Sequence, residues 1–257
     1  MVRGLYTAYT GMANEQKRLD IVANNLANSA TVGYKEENVT NQSFDNVLAI
    51  KIKDDSEAYN NRPIGRMTPG VKIGEVYTNF NQGSLRQTSN PYNLALEGKG
   101  FFSMSVTDRA GNNNTLYTRN GTFSVTNDGS IVDADGNHLL GESGEIMVPT
   151  DAADILIDVS GAIYADGVFV DNILITDFED YNYLTKTGDT MYGLAEGVVE
   201  LPAAASVRQG FTEQSNVNVV SEMVEMITIT RAYEANQKVI TSVDRTLDLA
   251  VNSVGKV

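Results

Sequence analysis

The chain has 257 residues, a formal net charge of −14, no cysteine and one histidine. The absence of cysteine excludes disulfides and thiolate chemistry, and a single histidine excludes a multi-histidine metal site. A balance this acidic argues against general binding to nucleic acid or to an anionic membrane surface. The composition points away from an enzyme, and we expect no cofactor, no bound metal, no nucleic-acid partner and no direct insertion into a membrane.

Residues 4–28 predict a helix at the N-terminal end, with no proline in this range. An apolar residue recurs there at every seventh position, at Leu5, Met12, Leu19 and Leu26. This period is typical of a helix that packs against another helix along a narrow seam. Asn28, Ser29 and Gly33 are expected to end it. The apolar core of a cleaved signal peptide is missing, so we expect any export to use another route.

The middle of the chain predicts β structure after a polar connector. Residues 36–70 are polar and charged and predict an extended connector, whereas residues 71–213 contain short alternating runs. Turn residues separate these runs, at Asn127-Asp128-Gly129, Asp135-Gly136-Asn137 and Asp166-Gly167. Frequent turns of this kind predict hairpins in an antiparallel domain. Residues 121–200 carry sixteen acidic residues and one basic residue, Lys186, which predicts a solvated acidic surface.

Residues 218–254 predict a longer second helix, with Asn218 as its N-cap. Its seven-residue apolar series is Val219, Met226, Tyr233, Ile240, Leu247 and Val254. A second apolar stripe widens the face, at Ile229, Ala232, Val239 and Val243. At 1.5 Å per residue this helix would be about 55 Å long, against about 37 Å for the first. The uncovered part of the apolar face would be covered either by other subunits or by the chain's own β domain.

Candidate chemical sites are weak. Residues 133–137 resemble the start of a calcium loop, but the twelfth position is Gly144 and the flanks predict strands, so a β-turn is favoured. Residues 97–100 are glycine-rich without a phosphate-binding pattern and predict a bend. His138 lies in a predicted strand without a nucleophile motif. No catalytic residue is assigned.

Two segments near the chain ends resemble the signatures of the bacterial flagellar rod and hook axial proteins. The first comprises Ala23, Asn24, Asn25, Leu26, Ala27 and Asn28, followed by Gly33, Tyr34 and Lys35. The second includes Arg231, Ala232, Tyr233 and Glu234. Residues 90–102 and 117–123 also match stretches of this family, so the matches follow in order along nearly the whole chain.

The resemblance implies an α+β fold in which long N- and C-terminal helices pair as a coiled-coil-like core beside a central antiparallel β domain. The predicted divisions are residues 1–35, the connector 36–70, the β domain 71–213 and the C-terminal helix 214–257. The two seven-residue apolar series are the expected self-assembly residues.

The resemblance also implies a structural rod subunit that polymerises into a hollow helical tube and transmits torque from motor to hook. Such proteins leave the cytoplasm through the flagellar type III export apparatus without a cleaved signal peptide, and they contact other rod and hook proteins in the extracytoplasmic basal body. A single β domain of this size favours a distal rod subunit over a similarly sized proximal rod or hook-type protein. The competing hypotheses are a monomeric acidic binding module and a weaker one, a hydrolase that uses two carboxylates.

Overall fold

A computed structural model describes residues 2–50, 63–107, 111–152, 154–195 and 197–254. The fold is α+β, as predicted, with a long helix towards each end of the chain and antiparallel strands between them. The chain forms two compact units. Unit 1 contains Met1–Leu26, Glu37–Tyr77 and Asn218–Val257, and unit 2 contains Ala27–Glu36 and Thr78–Val217. The chain therefore passes between the units four times.

The two long helices belong mainly to unit 1. Helix α1 spans Val2–Ala27 and ends next to the predicted terminators. Helix α2 spans Val219–Leu249 and continues as a π-helical segment, Ala250–Val254. The predicted N-cap is confirmed, because the side chain of Asn218 accepts hydrogen bonds from the first-turn amides. Helix α1 has 26 residues and is about 39 Å long, and α2 has 31 residues and is about 46 Å long. The π-helical segment extends α2 to Val254, where the sequence predicts the second helix to end.

Four short strands complete unit 1. They are β1 (Glu37–Ser43), β2 (Val47–Ile50), β3 (Pro63–Met67) and β4 (Val71–Thr78). Strand β1 pairs with β4, and β2 pairs antiparallel with β3. Most of the described part of the predicted connector is thus extended backbone. Within it β2 pairs with β3, whereas β1 pairs with β4, which lies beyond the connector. Residues 51–62 of that connector lie outside the described residues.

Unit 2 is built from short strands. In chain order they are β5 (Leu85–Gln87), β6 (Leu94–Glu97), β7 (Phe101–Thr107), β8 (Asn113–Thr118), β9 (Ser124–Val125), β10 (Ile131–Val132), β11 (His138–Gly141), β12 (Gly144–Glu145), β13 (Ile155–Ile157), β14 (Ala162–Ala165), β15 (Val168–Asn172), β16 (Ile175–Phe178), β17 (Leu184–Thr187), β18 (Met191–Leu194), β19 (Glu200–Pro202), β20 (Ser206–Gln209) and β21 (Phe211–Glu213). A short 3-10 helix, Tyr181–Tyr183, precedes β17.

Strand β7 lies at the centre of the largest sheet, whose main order is β17-β18-β8-β7-β11-β10-β9. One edge of β7 pairs with β8. Its other edge pairs with β16 through Phe101 and Phe102 and with β11 through Met104 and Ser105. The last strands of the unit return to the first, since β20 pairs with β6 and β21 pairs with β5. This pairing brings the end of unit 2 back to its beginning.

The side chains of β7 alternate between two apolar clusters. Phe102 and Met104 lie in the larger cluster, which draws on most strands of the unit. Phe101 faces a smaller aromatic cluster, where the ring centroids of Tyr117 and Phe178 lie 4.9 Å apart. A strand that is buried on both faces reads as a nearly continuous run of apolar and small residues, which accounts for the sequence Phe-Phe-Ser-Met-Ser.

The predicted turns are confirmed. Asp166 and Gly167 adopt φ of 48° and 80° between β14 and β15, as a two-residue hairpin turn requires. Residues 127–129 connect the antiparallel strands β9 and β10. The calcium-like segment is a turn as well, in which the Asp133 carboxylate accepts hydrogen bonds from the backbone of Asp135 and Asn137. His138 opens strand β11, as predicted.

Candidate assembly surface on the terminal helices

Helices α1 and α2 meet at three levels of unit 1, through polar contacts at two of them and a close approach at the third. At the end of α1, the amide nitrogen of Asn25 donates to the Glu222 carboxylate at 3.3 Å. The Arg18 guanidinium contacts Glu225 at 2.9 Å. Further along, a Cβ atom added to Gly11 would lie 3.0 Å from the side-chain nitrogen of Asn236. Residue numbers rise along α1 as they fall along α2, so the helices run antiparallel.

Asn25 also joins α1 to strand β1. Its amide nitrogen donates to the carbonyl of Glu37 at 2.8 Å, and its oxygen accepts from the Glu37 amide at 3.0 Å. A second asparagine of α1, Asn14, donates to the side chain of Asn41 at 3.1 Å. Asn25 and Glu222 are 1% and 4% exposed, so these polar groups are removed from water and bonded to each other. Buried polar groups need hydrogen-bond partners, so these bonds fix the position of Asn25 relative to α2 and β1.

The predicted seven-residue apolar series lies beside this polar seam. Leu5, Met12, Leu19 and Leu26 of α1 are half-buried, as are Met226, Tyr233 and Ile240 of α2. Val219 and Leu247 are exposed, and the side chain of Val254 lies outside the described residues. The apolar side chains that are fully buried on the helices are Ala8, Val22 and Ile229. Of these, Ile229 belongs to the predicted second stripe, whereas Ala8 and Val22 lie outside the predicted seven-residue series.

An apolar stripe on α2 is exposed in the single chain. It consists of Val220, Met223, Val224 and Ile227, which we call the outer stripe, and its exposed fractions run from 48% to 71%. These positions are separated by three and four residues and therefore lie on one face of the helix. Further along, Val239, Leu249 and Val251 are also exposed. Exposed apolar side chains on one helix face make the outer stripe the candidate contact surface of unit 1.

Residues of the two family-like signatures differ in how deeply they are buried. In the first, Ala23, Asn24 and Ala27 are exposed while Gly33, Tyr34 and Lys35 are buried in unit 2. Leu26 and Asn28 are half-buried. In the second, Arg231 and Glu234 are exposed, and Ala232 and Tyr233 are half-buried. Gly33 has φ of 73°, and a Cβ atom there would collide with the backbone of Arg119 and Asn120, so only glycine fits.

Lys35 belongs to a buried ion cluster in unit 2. Its Nζ lies 2.6 Å from Oε1 of Glu213, and Arg119 contacts the other carboxylate oxygen at 3.3 Å. The side chains of Lys35, Glu213 and Arg119 are 1%, 0% and 4% exposed, respectively. Burial lowers the pKa of Lys35, the Glu213 carboxylate opposes this effect, and the Arg119 charge lowers the pKa further. Two cations share one carboxylate, so the cluster has a formal charge of +1.

Sequence reasoning missed this cluster. Lys35 and Glu213 are 178 residues apart, and no local pattern relates them. The available signal was the placement of Tyr34 and Lys35 within a family signature whose function the sequence did not explain. Arg119 likewise stood in a matched stretch without a role. Structure supplies the role, which is to hold the start and the end of unit 2 together.

The described residues offer no constellation for metal binding or catalysis. No group of three or more histidine, aspartate or glutamate side chains among them could hold a metal ion. His138 is part-exposed, with its Nδ1 4.0 Å from a Glu145 oxygen. Within the part of the chain that the structure describes, neither long helix has a stretch both long and apolar enough to cross a membrane.

Three protein-family models match the chain in order. Residues 5–35 match the flagella basal body rod protein model. Residues 95–165 match the D1 domain model of the flagellar hook protein FlgE/F/G, and residues 208–253 match the C-terminal model of the flagellar basal body rod FlgEFG proteins. The polar seam of α1, strand β7 and the start of α2 all fall within the matched ranges.

Curated proteins match over nearly their full lengths. The flagellar basal-body rod protein FlgG of Bacillus subtilis (strain 168) is 33% identical over 272 residues, covering 98% of this chain and 99% of that protein. FlgG of Caulobacter vibrioides is 35% identical over 264 residues, with 96% and 97% covered. The flagellar hook-basal body complex protein FlhO of Bacillus subtilis is 32% identical over 279 residues, with both chains fully covered.

Proposed function

This chain belongs to the flagellar basal-body rod protein family, and from that premise we propose that it polymerises with copies of itself into a hollow helical tube. Membership makes it a structural subunit of the rod rather than an enzyme, and the FlgG relatives fit the distal rod. It also implies assembly with other flagellar rod and hook components. The hydrolase hypothesis is therefore wrong.

The outer stripe carries the proposal of self-assembly. Val220, Val224 and Ile227 present apolar surface that the single chain leaves in water. Burying it against another subunit would gain roughly 25 cal/mol per Å² of apolar area. A contact between two different faces of identical subunits does not close on itself and generates a helical filament. A tube of such subunits can transmit torque from motor to hook along its axis.

We further propose that α1 and α2 act as a coiled-coil-like core of this polymer. Inward positions on α1 follow one another by seven residues, at Gly11, Arg18 and Asn25. Along α2, Glu222, Ile229 and Asn236 show the same interval. This interval is the period of a coiled coil. Neighbouring subunits would then cover the half-buried seven-residue apolar series beside it, together with the exposed Val219 and Leu247.

Export through the flagellar type III apparatus without a cleaved signal peptide completes the proposal. Beyond Asn236, where Val239, Leu249 and Val251 are exposed, α2 lacks a partner in the single chain, so this end of the helix would be loosely ordered in the free subunit. Loose ends suit passage through a narrow channel, and their ordering on incorporation would delay polymerisation until the subunit arrives.

The test compares the unaltered chain with Val224→Asp. Purified protein is followed by light scattering against concentration, and the products are imaged by electron microscopy. We expect filaments from the unaltered chain and at least a tenfold higher critical concentration for the variant, since burying an unpaired carboxylate costs several kcal/mol, about 3–5. Val168→Asp is the matched control, because Val168 is equally apolar and 69% exposed but lies in unit 2.

Equal critical concentrations for the unaltered chain and Val224→Asp would refute the outer stripe as an assembly surface. A mass that stays monomeric at every concentration would favour the binding-module hypothesis instead. A control that fails like Val224→Asp would show that added negative charge, rather than its position, prevents assembly.

A further inference from the structure

The chain enters or leaves unit 2 at four places, and the residues at three of these places are joined by hydrogen bonds. The boundaries lie after residues 36, 77 and 217. Glu36, Asn79 and Asn216 lie within two residues of them, and none of these residues belongs to a strand. All three belong to unit 2, so their contacts describe how segments leave that unit.

Each of these residues bonds to the other two. The side-chain oxygen of Asn216 accepts from the backbone amide of Glu36 at 2.8 Å, and its nitrogen donates to the carbonyl of Asn79 at 2.7 Å. The backbone amide of Asn79 donates to the Glu36 carbonyl at 2.8 Å. The Asn79 side chain donates to the Glu36 carboxylate at 3.1 Å. Together these bonds form a closed ring across three chain segments.

The ring is continuous with the buried ion cluster. The carbonyl of Asn81 accepts from the Asn216 side chain at 3.2 Å and from Nζ of Lys35 at 2.9 Å. Lys35 in turn contacts Glu213, whose Oε1 also accepts from the backbone amide of Gly83 at 2.9 Å. Hydrogen bonds and ion pairs therefore connect the ring to the buried ion cluster through residues of all three segments.

We propose that Asn216 is the positioning residue of an exit clamp, formed by Glu36, Asn79 and Asn216, that holds three segments side by side where they leave unit 2. A carboxamide suits this position because it offers an acceptor and donors on one planar group. It satisfies a backbone N–H on one segment and carbonyls on another, where no strand ladder supplies partners. The clamp acts within each subunit and is separate from the outer stripe.

The test measures amide hydrogen exchange of the full chain at residue resolution. Two amides report on the clamp directly, those of Glu36 and Asn79. In Asn216→Ala, we expect both to exchange at least about tenfold faster, because the Glu36 amide loses its acceptor and the Asn79 segment loses its tether. Amides of β7 should exchange at the rate of the unaltered chain.

A second variant separates the two halves of the carboxamide. Asn216→Asp keeps the oxygen that accepts from Glu36 but loses the nitrogen that donates to Asn79 and Asn81. We expect the Glu36 amide to retain more protection than in Asn216→Ala, while the backbone around Asn79 loosens in both variants. The control, Asn137→Ala, removes a side chain that donates to Asp133 at 2.9 Å in the same unit, so its effect should stay within that turn.

Two results would overturn the clamp. Unchanged exchange of the Glu36 and Asn79 amides in Asn216→Ala would show that other contacts hold the segments together. Equal loss of protection throughout unit 2, β7 included, in both Asn216 variants would show that the residue supports global stability rather than the exits. Faster exchange confined to the exits, with the expected difference between the alanine and aspartate variants, supports the proposal.

Discussion

Asn25 donates a hydrogen bond to Glu222 over 3.3 Å, and both side chains are almost completely buried in unit 1. The pair sits where α1 ends and α2 begins. An apolar seam that repeats every seven residues is unchanged when one helix slides by seven. A polar pair is not, because a slide of that size would place Asn25 opposite Ile229 or Ser215 and break its hydrogen bond with the buried Glu222 carboxylate. Buried polar pairs of this kind are known to specify register.

Cross-linking between α1 and α2 checks this register. The chain has no cysteine, so an introduced pair is the only one present. We expect Gly11→Cys with Asn236→Cys to form an intramolecular disulfide under mild oxidation, because a Cβ atom on Gly11 lies 3.5 Å from Cγ of Asn236. The matched pair Gly11→Cys with Val243→Cys reports a slide by seven residues and should remain reduced. Equal yields from the two pairs would contradict a single register.

Neutralising Glu213 should strongly destabilise unit 2. Glu213→Gln leaves Lys35 and Arg119 buried without a counter-ion, and breaking a buried ion pair in this way costs about 3–5 kcal/mol. Denaturant unfolding followed by circular dichroism measures the change. The control is Glu97→Gln, which removes an exposed contact of 2.8 Å with Arg208 and should cost less than about 1 kcal/mol. Similar losses for the two variants would show that the cluster has no special role.

Removing the N-terminus should distinguish the two parts of the first signature. A chain lacking residues 1–26 keeps every residue of unit 2, including Lys35. A chain lacking residues 1–36 loses Lys35 and the backbone bond from Gly33 to Glu213. We expect the shorter chain to unfold at a clearly lower denaturant concentration, measured by circular dichroism. Identical midpoints would show that residues 27–36 contribute nothing to unit 2.

Alkaline pH should weaken unit 2 through Tyr117. Burial raises the pKa of Tyr117 above its ordinary value, and the hydrogen bond of 2.6 Å to Glu200 and the charge of that carboxylate raise it further. Below about pH 10 the phenol is protonated in both states, and its contribution to stability is complete. Above pH 10 the unfolded chain releases the proton while the folded chain keeps it, so the free energy of unfolding falls.

Comparison with Tyr117→Phe isolates this effect. The variant is less stable at neutral pH, and its deficit should shrink by about 1.4 kcal/mol per pH unit above pH 10. Stability is measured by denaturant unfolding at several pH values. Tyr183→Phe is the control, because Tyr183 is 55% exposed and its replacement should change the free energy of unfolding little at neutral pH. A Tyr117→Phe deficit that does not change with pH would contradict a raised pKa.

Local chemistry explains why some features could be predicted from the sequence. Asn218 caps α2 because its side chain reaches amides two and three residues away, and the spacing is visible in the sequence. Asp166-Gly167 forms a hairpin turn because both residues tolerate positive φ. Each depends on neighbours within a few residues, so a short stretch of sequence contains the whole cause.

The orientation of the helices could not be obtained in the same way. A period of seven indicates that a helix packs along a seam, but it does not say which of the seven positions faces inward. The seven-residue apolar series predicts that Leu19 and Leu26 face inward, whereas the fully buried residues in this part of α1 are Val22 and Asn25. Asn25 faces inward because Glu37 and Glu222 satisfy it, and both partners lie outside the helix. Hydrogen bonds to residues outside the helix therefore determine which face of α1 is buried.

The interleaving of the two units constrains how genes for such proteins can recombine. Unit 2 takes residues 27–36 from one part of the gene and residues 78–217 from another. Replacing residues 78–217 alone by those of a relative would pair Lys35 of this chain with the relative's residue at position 213. Replacing residues 27–36 alone would pair Glu213 of this chain with the relative's residue at position 35. A central block from a relative is compatible with this Lys35 only if it also supplies an anion at the position of Glu213. A crossover within 37–77 separates the two segments of unit 2, so relatives of this protein should exchange whole genes more successfully than central cassettes.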